Sequence, residues 1–460
     1  MKVLSLILCL SFLSYAQEKP NIILIVADDL GYADVSFGAG ENPQINTPEI
    51  DRIAKEGVAL TRFYACPVCS PTRVGIMTGC WPINFGLMKA VIPPWRARGL
   101  DPDLITLPKI LAENGYKRRA VIGKWHLGHA KKIHTPLQQG FTHFYGHLNG
   151  AIDYFTHERE GENDWHRNDQ AVFEEGYATG LLAGETVNYI TESVQKKEAF
   201  FIYLPFNAPH SPFQAPEEEL NKISNLQGNK KIYAAMVKSM DKGIGKILNK
   251  LEELKIADNT FILFFSDNGG VNSVSAKNHL RDGKFSVYEG GIRVVAAARW
   301  PKGGISGGKK IDSKPIGYID VLPTICAVAG IDISKYSKAN FDGKNVLDTL
   351  KGNSPGPDRI WFSYIHQSSA KEHFSVIKEP YKLVVKVPYN KGQKGAPAIE
   401  LYNLKENPAE TENISSSHPE LVKELQKEIA HFMTKQKNPL PFYSEGKKGF
   451  KAPKDWIVTE

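Results

Sequence analysis

Residues 21–31 read NIILIVADDLG, and residues 260–270 repeat the same pattern as TFILFFSDNGG. Each stretch opens with an apolar run, rich in β-branched or aromatic residues, that lacks polar alternation. Such a run is typical of a strand that is buried on both faces in a parallel sheet covered by helices. Each run ends in two oxygen-bearing side chains and then glycine. Because sites in such sheets form outside the carboxyl ends of strands, neighbouring strands would bring these four side chains together.

The four side chains are those of Asp28, Asp29, Asp267 and Asn268. All-oxygen ligation selects a hard divalent cation such as Ca²⁺ or Mg²⁺. Taken singly, each pair is also ordinary turn and cap chemistry. The repetition of the pattern at two buried strand ends favours the metal site.

A third stretch, ACPVCSPTRVGIMTG at residues 65–79, places a thiol four residues ahead of a guanidinium. Pro71 suits the first turn of a helix, so Cys69 would lie at a helix N-terminus, where an anion is favoured. Arg73 would direct a planar cation to the same place. The stretch therefore predicts an anion site that contains a sulfur nucleophile. Two alternatives remain: Cys66 and Cys69 form a C-x-x-C redox or zinc motif, or Cys69 is a buried small hydrophobe.

Helical and strand patterns alternate along most of the chain, which predicts an α/β fold with a large, mainly parallel sheet flanked by helices. Predicted helices cover residues 104–114, 177–194 and 233–254, and short predicted strands cover residues 119–122 and 199–204. After residues 354–357 the pattern changes to strands at 374–377, 381–385 and 399–402, then a helix at 419–433. We therefore expect a catalytic α/β domain over residues 17–353 and a smaller antiparallel sheet plus helix over residues 354–460.

Residues 1–16 have a positive start, an apolar run and Ala16 before Gln17, as in a secretory signal peptide, which predicts an exported, periplasmic or secreted protein. The apolar run is too short to span a membrane, and no later window is apolar enough. The net charge is +7, but no dense basic block indicates nucleic-acid binding. The four cysteines after residue 16 form no disulfide framework. A bridge among Cys66, Cys80 and Cys326, and the oligomeric state, stay open.

Further polar residues follow the predicted strands: Lys124 and His126, then His210, then Lys284. Any single histidine is more often structural than catalytic. Together with Arg73, these residues would place three cations and a metal ion around one anion. One pair of unit charges at about 4 Å, with an effective dielectric near 20, is worth roughly 4 kcal/mol. Such a cluster suits the oxyanion of a sulfate or phosphate ester.

These residues lie in longer motifs that resemble the two signatures of the type I, formylglycine-dependent sulfatases: CSPTR at 69–73, GY at 115–116 and GKWH at 123–126. The resemblance continues at DDLG 28–31, DNGG 267–270 and LYNL 401–404, and so covers nearly the whole chain. The runs GAIDYFTH at 150–157 and LRDGK at 280–284 are most similar to the arylsulfatase B (N-acetylgalactosamine-4-sulfatase) branch, whose bacterial relatives include carrageenan sulfatases. Two departures, Thr72 for serine and Arg118 for a small hydroxyl residue, touch no catalytic role.

The resemblance implies an alkaline-phosphatase-like fold and a secreted sulfatase that hydrolyses carbohydrate sulfate monoesters, with 4-O-sulfate on galactose or N-acetylgalactosamine units as the expected substrate. A formylglycine-generating maturation enzyme would oxidise Cys69 to 3-oxoalanine (formylglycine). One hydroxyl of the aldehyde hydrate, held on Ca²⁺ rather than Mg²⁺, would attack sulfur. The implied metal ligands are the modified Cys69 and the two strand-end pairs: Asp28, Asp29, Asp267 and Asn268.

The same resemblance assigns roles to the other polar residues. Arg73 would steady the hydrate, and Lys124 and Lys284 would hold the sulfate oxygens. His210 would protonate the leaving alcohol, and His126 would deprotonate the second hydroxyl so that sulfate is expelled.

Candidate sugar contacts are Asp153, His157, Trp95, Arg96 and Arg281, the last beside Lys284. For Trp95 and Arg96, a plain surface loop is the competing interpretation. Two rival functions also remain. One is a phosphate or phosphonate monoester hydrolase on the same scaffold, and the other is a non-catalytic sugar-binding or C-x-x-C redox protein. The polysaccharide, and endo or exo action, are not given by the sequence.

Overall fold

A computed structural model describes residues 19–458 apart from 40–43, 277–278 and 391–392. The predicted signal peptide, residues 1–16, lies outside the described residues. The strands of the main sheet and its attached hairpin are β1 Asn21–Ala27, β2 Val58–Tyr64, β3 Arg118–Lys124, β4 His143–His147, β5 Glu158–Arg159, β6 Glu162–Asn163, β7 His166–Arg167, β8 Gln170–Ala171, β9 Phe200–Pro205, β10 Thr260–Ser266, β11 Arg293–Arg299, β12 Lys309–Ile311 and β13 Ile316–Gly317. The C-terminal strands are β14 Trp361–Ser368, β15 Lys371–Lys378, β16 Tyr381–Asn390, β17 Gln393–Lys394 and β18 Ala398–Asn403.

Helices connect and cover these strands. The α-helices are α1 Ser36–Ala39, α2 Pro48–Glu56, α3 Cys69–Thr78, α4 Leu107–Glu113, α5 Ala178–Gln195, α6 Glu217–Asn221, α7 Gly228–Glu253, α8 Glu289–Ile292, α9 Val321–Val328, α10 Leu347–Leu350 and α11 Pro419–Met433. Short 3-10 helices cover Pro82–Phe85, Lys132–His134, Pro136–Gln139, Ala257–Asn259, Pro301–Gly303, Tyr318–Asp320, Ile333–Ala339, Ser415–Ser417 and Lys454–Trp456. None of the helices in the described part of the chain is both long enough and apolar enough to cross a membrane.

The centre of the main sheet is parallel, in the order β10-β1-β9-β3-β4. Strands β1 and β10 are direct neighbours, in register from the Asn21–Thr260 pair to the Ala27–Ser266 pair. Antiparallel strands flank this centre, with β11 beside β10 on one side and β7 beside β4 on the other. The predicted α/β class and mainly parallel sheet are therefore confirmed at the centre, and the antiparallel flanks are added by the tertiary structure.

Strand β1 is buried on both faces, as its uninterrupted apolar sequence predicts. Alternate residues contribute to two different hydrophobic cores: Ile22, Leu24 and Val26 face one, and Ile23 and Ile25 face the other. The first core contains residues of α3, α4 and α9, and the second contains residues of α2, α5 and α7. Helices on both faces leave the ends of the central strands as the place where polar side chains can gather.

The C-terminal region is an antiparallel sheet in which β15 is paired with β16 along the whole length of β15. One of its faces, including Trp361 and Val384, joins the first core of the main sheet. The other face packs against α11 through residues such as Leu383 and Leu425. The predicted smaller sheet plus helix is confirmed, and the predicted boundary after residue 353 falls between α10 and β14.

A buried ionic cluster joins the two parts of the molecule. The Lys382 Nζ atom on β16 lies 2.9 Å from Glu289 Oε1 of α8 and 2.8 Å from Glu410 Oε1. All three side chains are fully buried. The Tyr64 hydroxyl also donates to Glu289, at 2.9 Å. Lys382 thus pairs with two carboxylates inside the interface between the two sheets, and Arg293 Nη1 lies 3.8 Å from the second oxygen of Glu289.

We expect Lys382→Met to lower the free energy of unfolding by about 3–5 kcal/mol, because it removes the nearest cation from two buried carboxylates and leaves Glu289 only the more distant Arg293, at 3.8 Å. Urea denaturation followed by circular dichroism measures the change. The matched control is Lys378→Met, since Lys378 pairs with Glu424 on the surface, where each side chain is about half exposed. Surface pairs contribute about 0–1 kcal/mol. Equal losses in the two variants would contradict a structural role for the buried cluster.

Candidate active site

The ends of β1 and β10 bring the predicted oxygen ligands together. Asp28 and Asp29 follow β1, Asp267 and Asn268 follow β10, and none of the four is more than 2% exposed. Because the two strands are parallel neighbours in register, their ends lie side by side. Asp29 has a φ of 66°. A non-glycine residue in this left-handed region stores strain, which is typical of functional sites.

Three cations surround the carboxylates. Lys124 Nζ lies 2.5 Å from Asp28 Oδ2, Lys284 Nζ lies 2.6 Å from Asp29 Oδ1, and Arg73 Nη2 lies 2.7 Å from Asp267 Oδ2. Burial lowers the pKa of Lys284, but the Asp29 carboxylate raises it overall. Burial and the neighbouring Asp28 raise the pKa of Asp267 to about 6, against the opposing effect of Arg73. The cluster is therefore close to neutral by itself, and a divalent ion would give it a net charge of about +2 that suits an anionic ligand.

The donor set fits a hard divalent cation. The Asn268 side chain donates from Nδ2 to Asp29 Oδ1 at 2.8 Å, while its Oδ1 atom is buried and has no hydrogen-bond partner among the described residues. A buried acceptor without a partner is unfavourable, and a metal ion would satisfy it. Ligand atoms of Asp28, Asp29, Cys69 and His210 all lie within 4.8 Å of one another. These four side chains, which we term the metal-capable group, can therefore share one ion.

Cys69 is the first residue of α3, as the sequence predicts, with Val68 as its N-cap. Its Sγ atom lies 3.5 Å from Asp28 Oδ1. Burial raises the pKa of this thiol far above its usual value and that of the Cys66 thiol to about 12. Among the described residues, Cys66, Cys69, Cys80 and Cys326 are all free and buried. The metal-capable group includes Cys69 and not Cys66, which argues against a C-x-x-C zinc or redox pair.

Two hydroxyl residues of α3 fix the helix against the strand ends. The Thr72 hydroxyl donates to the Asp267 carbonyl at 2.7 Å and accepts the Cys66 N–H at 2.9 Å. The Ser70 hydroxyl donates to the His126 carbonyl at 3.1 Å. We did not predict these roles, although Ser70 directly follows Cys69 and Thr72 stands three residues after it. They position the thiol relative to the carboxylates.

Arg73 lies behind the site rather than in it. Its guanidinium is fully buried and donates to Asp267 Oδ2 from Nε and Nη2, and to the Lys124 carbonyl from Nη1. Arg73 therefore orients a predicted metal ligand instead of directing its charge at an anion in the cavity. Lys124 is equally buried and is occupied by Asp28.

The two candidate catalytic histidines have one ring nitrogen each fixed by a backbone carbonyl. His126 Nε2 lies 3.0 Å from the Ile92 carbonyl, so the proton resides there and the buried Nδ1, without a partner among the described residues, keeps its lone pair. His210 Nδ1 lies 2.5 Å from the Ser211 carbonyl, which leaves Nε2, 3.6 Å from Asp29 Oδ2, as the titrating atom. Burial lowers the pKa of both rings, to about 3 for His210.

A cavity of about 620 Å³ opens above Cys69. Of the predicted site residues, the cavity is lined by Cys69, Asp29, His126, His210 and Lys284. Its walls are largely apolar, with Val91, Phe213 and Phe285 among them. Such a volume is in the range of pockets that bury a small organic ligand. The cavity therefore presents a thiol, two histidines and one lysine to a bound molecule.

The predicted sugar-contact residues do not line this cavity, because the protein itself occupies their polar groups. Trp95 Nε1 donates to the Tyr443 carbonyl, and Arg96 donates to the Glu445 carbonyl. Asp153 accepts two backbone N–H groups of its own loop, and the buried His157 stacks on Trp165 at 4.5 Å. Arg281 donates to the Tyr402 hydroxyl and the Glu410 carbonyl.

Three polar residues that the sequence did not single out do line the cavity: Arg159 from the β5–β6 hairpin, Gln367 from β14 and Tyr443 from the C-terminal tail. No local sequence motif marks any of the three. The wall of the cavity is thus assembled from distant parts of the chain.

The parallel sheet with helices on both faces, the polar cluster at its strand ends and the added C-terminal sheet define a hydrolase of the alkaline-phosphatase-like fold class. The family model described as Sulfatase matches residues 20–331, and the model described as N-sulphoglucosamine sulphohydrolase, C-terminal, matches residues 279–437. The chain belongs to the sulfatase family, and its activity is the hydrolysis of sulfuric esters.

Individual relatives support this assignment. The chain is 33% identical to N-acetylgalactosamine-6-sulfatase of Homo sapiens over 73% of this chain and 67% of that protein, and 29% identical to arylsulfatase J of Mus musculus over 90% of this chain and 76% of that protein. The crystal structure of Ps i-CgsB in complex with k-i-k-neocarrahexaose has a TM-score of 0.82 at 32% identity, and covers 93% of this chain and 96% of that one.

Proposed function

We propose that this protein is an exported sulfatase that removes sulfate from position 4 of galactose or N-acetylgalactosamine units of a sulfated polysaccharide or its oligosaccharides. The proposal includes oxidation of Cys69 to formylglycine by a maturation enzyme. It also includes one Ca²⁺ ion, bound by the modified Cys69, Asp28, Asp29, Asp267 and Asn268.

One observation carries the proposal: Cys69 lies in one group with Asp28 and Asp29, the Asn268 side chain with its unsatisfied oxygen is hydrogen-bonded to Asp29, and Cys69 lines a cavity. A buried thiol with a raised pKa is a poor nucleophile as it stands. When present, the aldehyde of modified Cys69 supplies a hydrate hydroxyl as the nucleophile, and the metal ion supplies Lewis acidity.

The residues of the chain perform the remaining steps. Lys284 lines the cavity and neutralises charge on the sulfate oxygens. The bound sulfate ester adds negative charge beside His210 Nε2, which favours the imidazolium and lets this atom donate a proton to the leaving sugar alcohol. His126 stays neutral because burial and the cations Lys124 and Arg73 lower its pKa, so Nδ1 can accept a proton from the cysteine-derived residue.

The substrate class follows from the cavity and the relatives. Its largely apolar walls and aromatic residues suit the faces of sugar rings, and its polar floor suits the sulfate group. The human relative is named for position 6 of N-acetylgalactosamine, and Ps i-CgsB was crystallised with a neocarrahexaose. Both names indicate a substrate with a galactose-type ring. Position 4 rests on the sequence resemblance alone.

The test is a comparison of inorganic sulfate release from defined 4-O- and 6-O-sulfated galactose and N-acetylgalactosamine oligosaccharides, by protein co-expressed with a formylglycine-generating enzyme. We expect release from the 4-O-sulfates. Release from the 6-O-sulfates alone would overturn the position. A matched pair of aryl sulfate and aryl phosphate tests the rival phosphatase function, and faster phosphate release would favour it. No turnover of any ester would favour a non-catalytic sugar-binding protein.

Titration of the metal-free protein with Ca²⁺ tests the cation site independently of turnover. We expect Ca²⁺ at a hundredfold excess over its Kd to raise the free energy of unfolding by about 2.7 kcal/mol, since it binds the folded cluster and relieves repulsion among the carboxylates. Asn268→Ala should weaken Ca²⁺ binding by about 10-fold or more, because it removes one oxygen ligand. Isothermal titration calorimetry of the metal-free protein measures both affinities.

The matched control for this experiment is Asn272→Ala. Asn272 is an exposed residue a few positions further along the same loop, and its side chain donates to Asp282 at 2.7 Å. Its Ca²⁺ affinity should equal that of the unaltered protein. An unchanged affinity in Asn268→Ala, or no heat of Ca²⁺ binding at all, would contradict the assigned site.

A further inference from the structure

We infer that Arg159, Gln367 and Tyr443 form a second anion-binding subsite in the same cavity. This subsite takes a sulfate ester or carboxylate carried by the sugar next to the one that loses its sulfate. The inference rests on the proposed function and deepens it: the preferred substrate is an oligosaccharide with at least two anionic groups. We define these three residues as the outer subsite.

Arg159 supplies the charge of the outer subsite. It ends β5, and its side chain lines the cavity while remaining one quarter exposed. Its Nη2 atom lies 3.3 Å from the Glu160 carboxylate, and its Nε atom is buried without a hydrogen-bond partner among the described residues. A buried guanidinium N–H that lacks a partner is unfavourable unless a ligand completes it. A planar guanidinium matches the oxygens of a sulfate or carboxylate.

The hairpin that carries Arg159 is fixed from both sides. The Trp456 indole donates from Nε1 to the Arg159 carbonyl at 2.9 Å, and the Asp455 N–H donates to Glu162 at 3.1 Å. The Asp153 N–H donates to the Glu158 carbonyl at 3.0 Å. Because its backbone is anchored, the arginine is held ready for a ligand and loses less conformational entropy on binding.

Gln367 and Tyr443 line the same cavity as Arg159. The two are joined by a hydrogen bond from the Tyr443 N–H to the Gln367 carbonyl at 3.0 Å. The Gln367 Oε1 atom is buried and has no partner among the described residues, so it can accept from a sugar hydroxyl. The Tyr443 ring packs edge-on against Trp95 at 5.1 Å and offers a rigid amphipathic surface to a sugar ring. Trp95, first expected to contact sugar, positions Tyr443 instead.

The outer subsite is separate from the residues that act on the reacting sulfate. Lys284 is paired with Asp29 at the floor of the cavity, whereas Arg159, Gln367 and Tyr443 come from the hairpin, the C-terminal sheet and the tail. The tail also lies beyond residue 437, where the second family match ends. Arg159 and Gln367 lie within the matched ranges, and Tyr443 lies beyond them. All three come from segments other than the strand ends that carry the polar cluster, which suits residues that select the substrate rather than perform the reaction.

The experiment compares Arg159→Met with the unaltered enzyme on three galactose 4-sulfate disaccharides, whose second sugar is neutral, sulfated or a uronic acid. The quantity measured is the ratio of kcat/KM for each anionic-neighbour substrate to that for the neutral-neighbour substrate. We expect Arg159→Met to lower this ratio by about 10-fold or more, mainly through KM, because one charge-assisted contact is lost. Loss with both anionic substrates shows recognition of charge, and loss with only one identifies the preferred group.

The matched control is Arg118→Met, since Arg118 also pairs with a glutamate, Glu192 at 3.2 Å, but lies on β3 and does not line the cavity. It should leave the ratio unchanged, and thermal unfolding of both variants checks that they are folded. An unchanged ratio in Arg159→Met would overturn the outer subsite.

If the unaltered protein hydrolyses none of the disaccharides, the proposed function fails, and calorimetric binding of the same three compounds then decides the subsite. Tighter binding of the anionic-neighbour compounds that is lost in Arg159→Met supports it, and equal binding by the two proteins overturns it.

Discussion

Cys69→Ala is expected to lower kcat/KM for an activated aryl sulfate by roughly 10⁴-fold or more, because removal of a nucleophile from a cooperating set leaves only binding and charge stabilisation. The structure gives the reason. Cys69 lines the cavity, and its nucleophilic Sγ atom lies 3.5 Å from Asp28 Oδ1. It is also the first residue of α3, where the helix dipole favours negative charge. Initial rates of sulfate release measure the effect.

Mass spectrometry of the peptide that contains Cys69 completes this test. In protein made with the maturation enzyme we expect the mass of an aldehyde residue in place of the thiol. Cys66→Ala is the control, since Cys66 is also buried in the C-x-x-C segment but is absent from the metal-capable group. It should retain activity. Equal inactivation by both substitutions would favour the redox motif, and full activity with an unmodified thiol would refute the oxidised nucleophile.

His210→Ala is expected to lower kcat for sugar sulfates by about 10²- to 10⁴-fold and to have a much smaller effect on activated aryl sulfates. A sugar alkoxide is a poor leaving group that needs a proton, whereas an activated phenolate does not. His210 lines the cavity, and the Ser211 carbonyl accepts its Nδ1 proton, so Nε2 is the atom that would donate a proton to the leaving sugar. A plot of log kcat against leaving-group pKa measures the difference as a steeper slope in the variant.

His143→Ala is the matched control for this prediction. His143 is as exposed as His210, with side-chain exposures of 17% and 18%, and also lies near a carboxylate, Glu185 at 2.8 Å. It is on β4 and does not line the cavity, so its slope should equal that of the unaltered enzyme. Parallel losses on both substrate classes in His210→Ala would show that this histidine binds substrate rather than donating a proton.

Much of the fold follows from local sequence. Strand β10 occupies the residues predicted for it, and α11 covers the predicted residues 419–433, because each has strong periodicity and clear end signals. The antiparallel flanks of the main sheet did not follow. On the β4 side, strands β7 and β8 have two residues each, too few to carry a recognisable pattern; β7 pairs with the edge of β4, and β8 pairs with β7.

The candidate site shows the same division at the level of side chains. Asp28 and Cys69 could be assigned because their positions depend on a strand end and a helix start within a few residues. Arg73 was expected to face the anion, yet its guanidinium is directed at Asp267, a contact across 194 residues of sequence. Which donor meets which acceptor depends on packing between elements, and spacing along the chain does not report it.

The sequence by itself determined the two strand-end pairs of oxygen-bearing side chains, the thiol at a helix N-terminus and the family, because each is encoded in a short continuous segment. Only the tertiary structure decided what surrounds them. In the tertiary structure, contacts within the protein occupy the candidate sugar-contact residues Trp95, Arg96, Asp153, His157 and Arg281. Arg159, Gln367 and Tyr443 line the cavity instead. Periodicity fixes which face of an element is buried, whereas a cavity wall is formed by loops and edges whose meeting is set by the packing of the whole core.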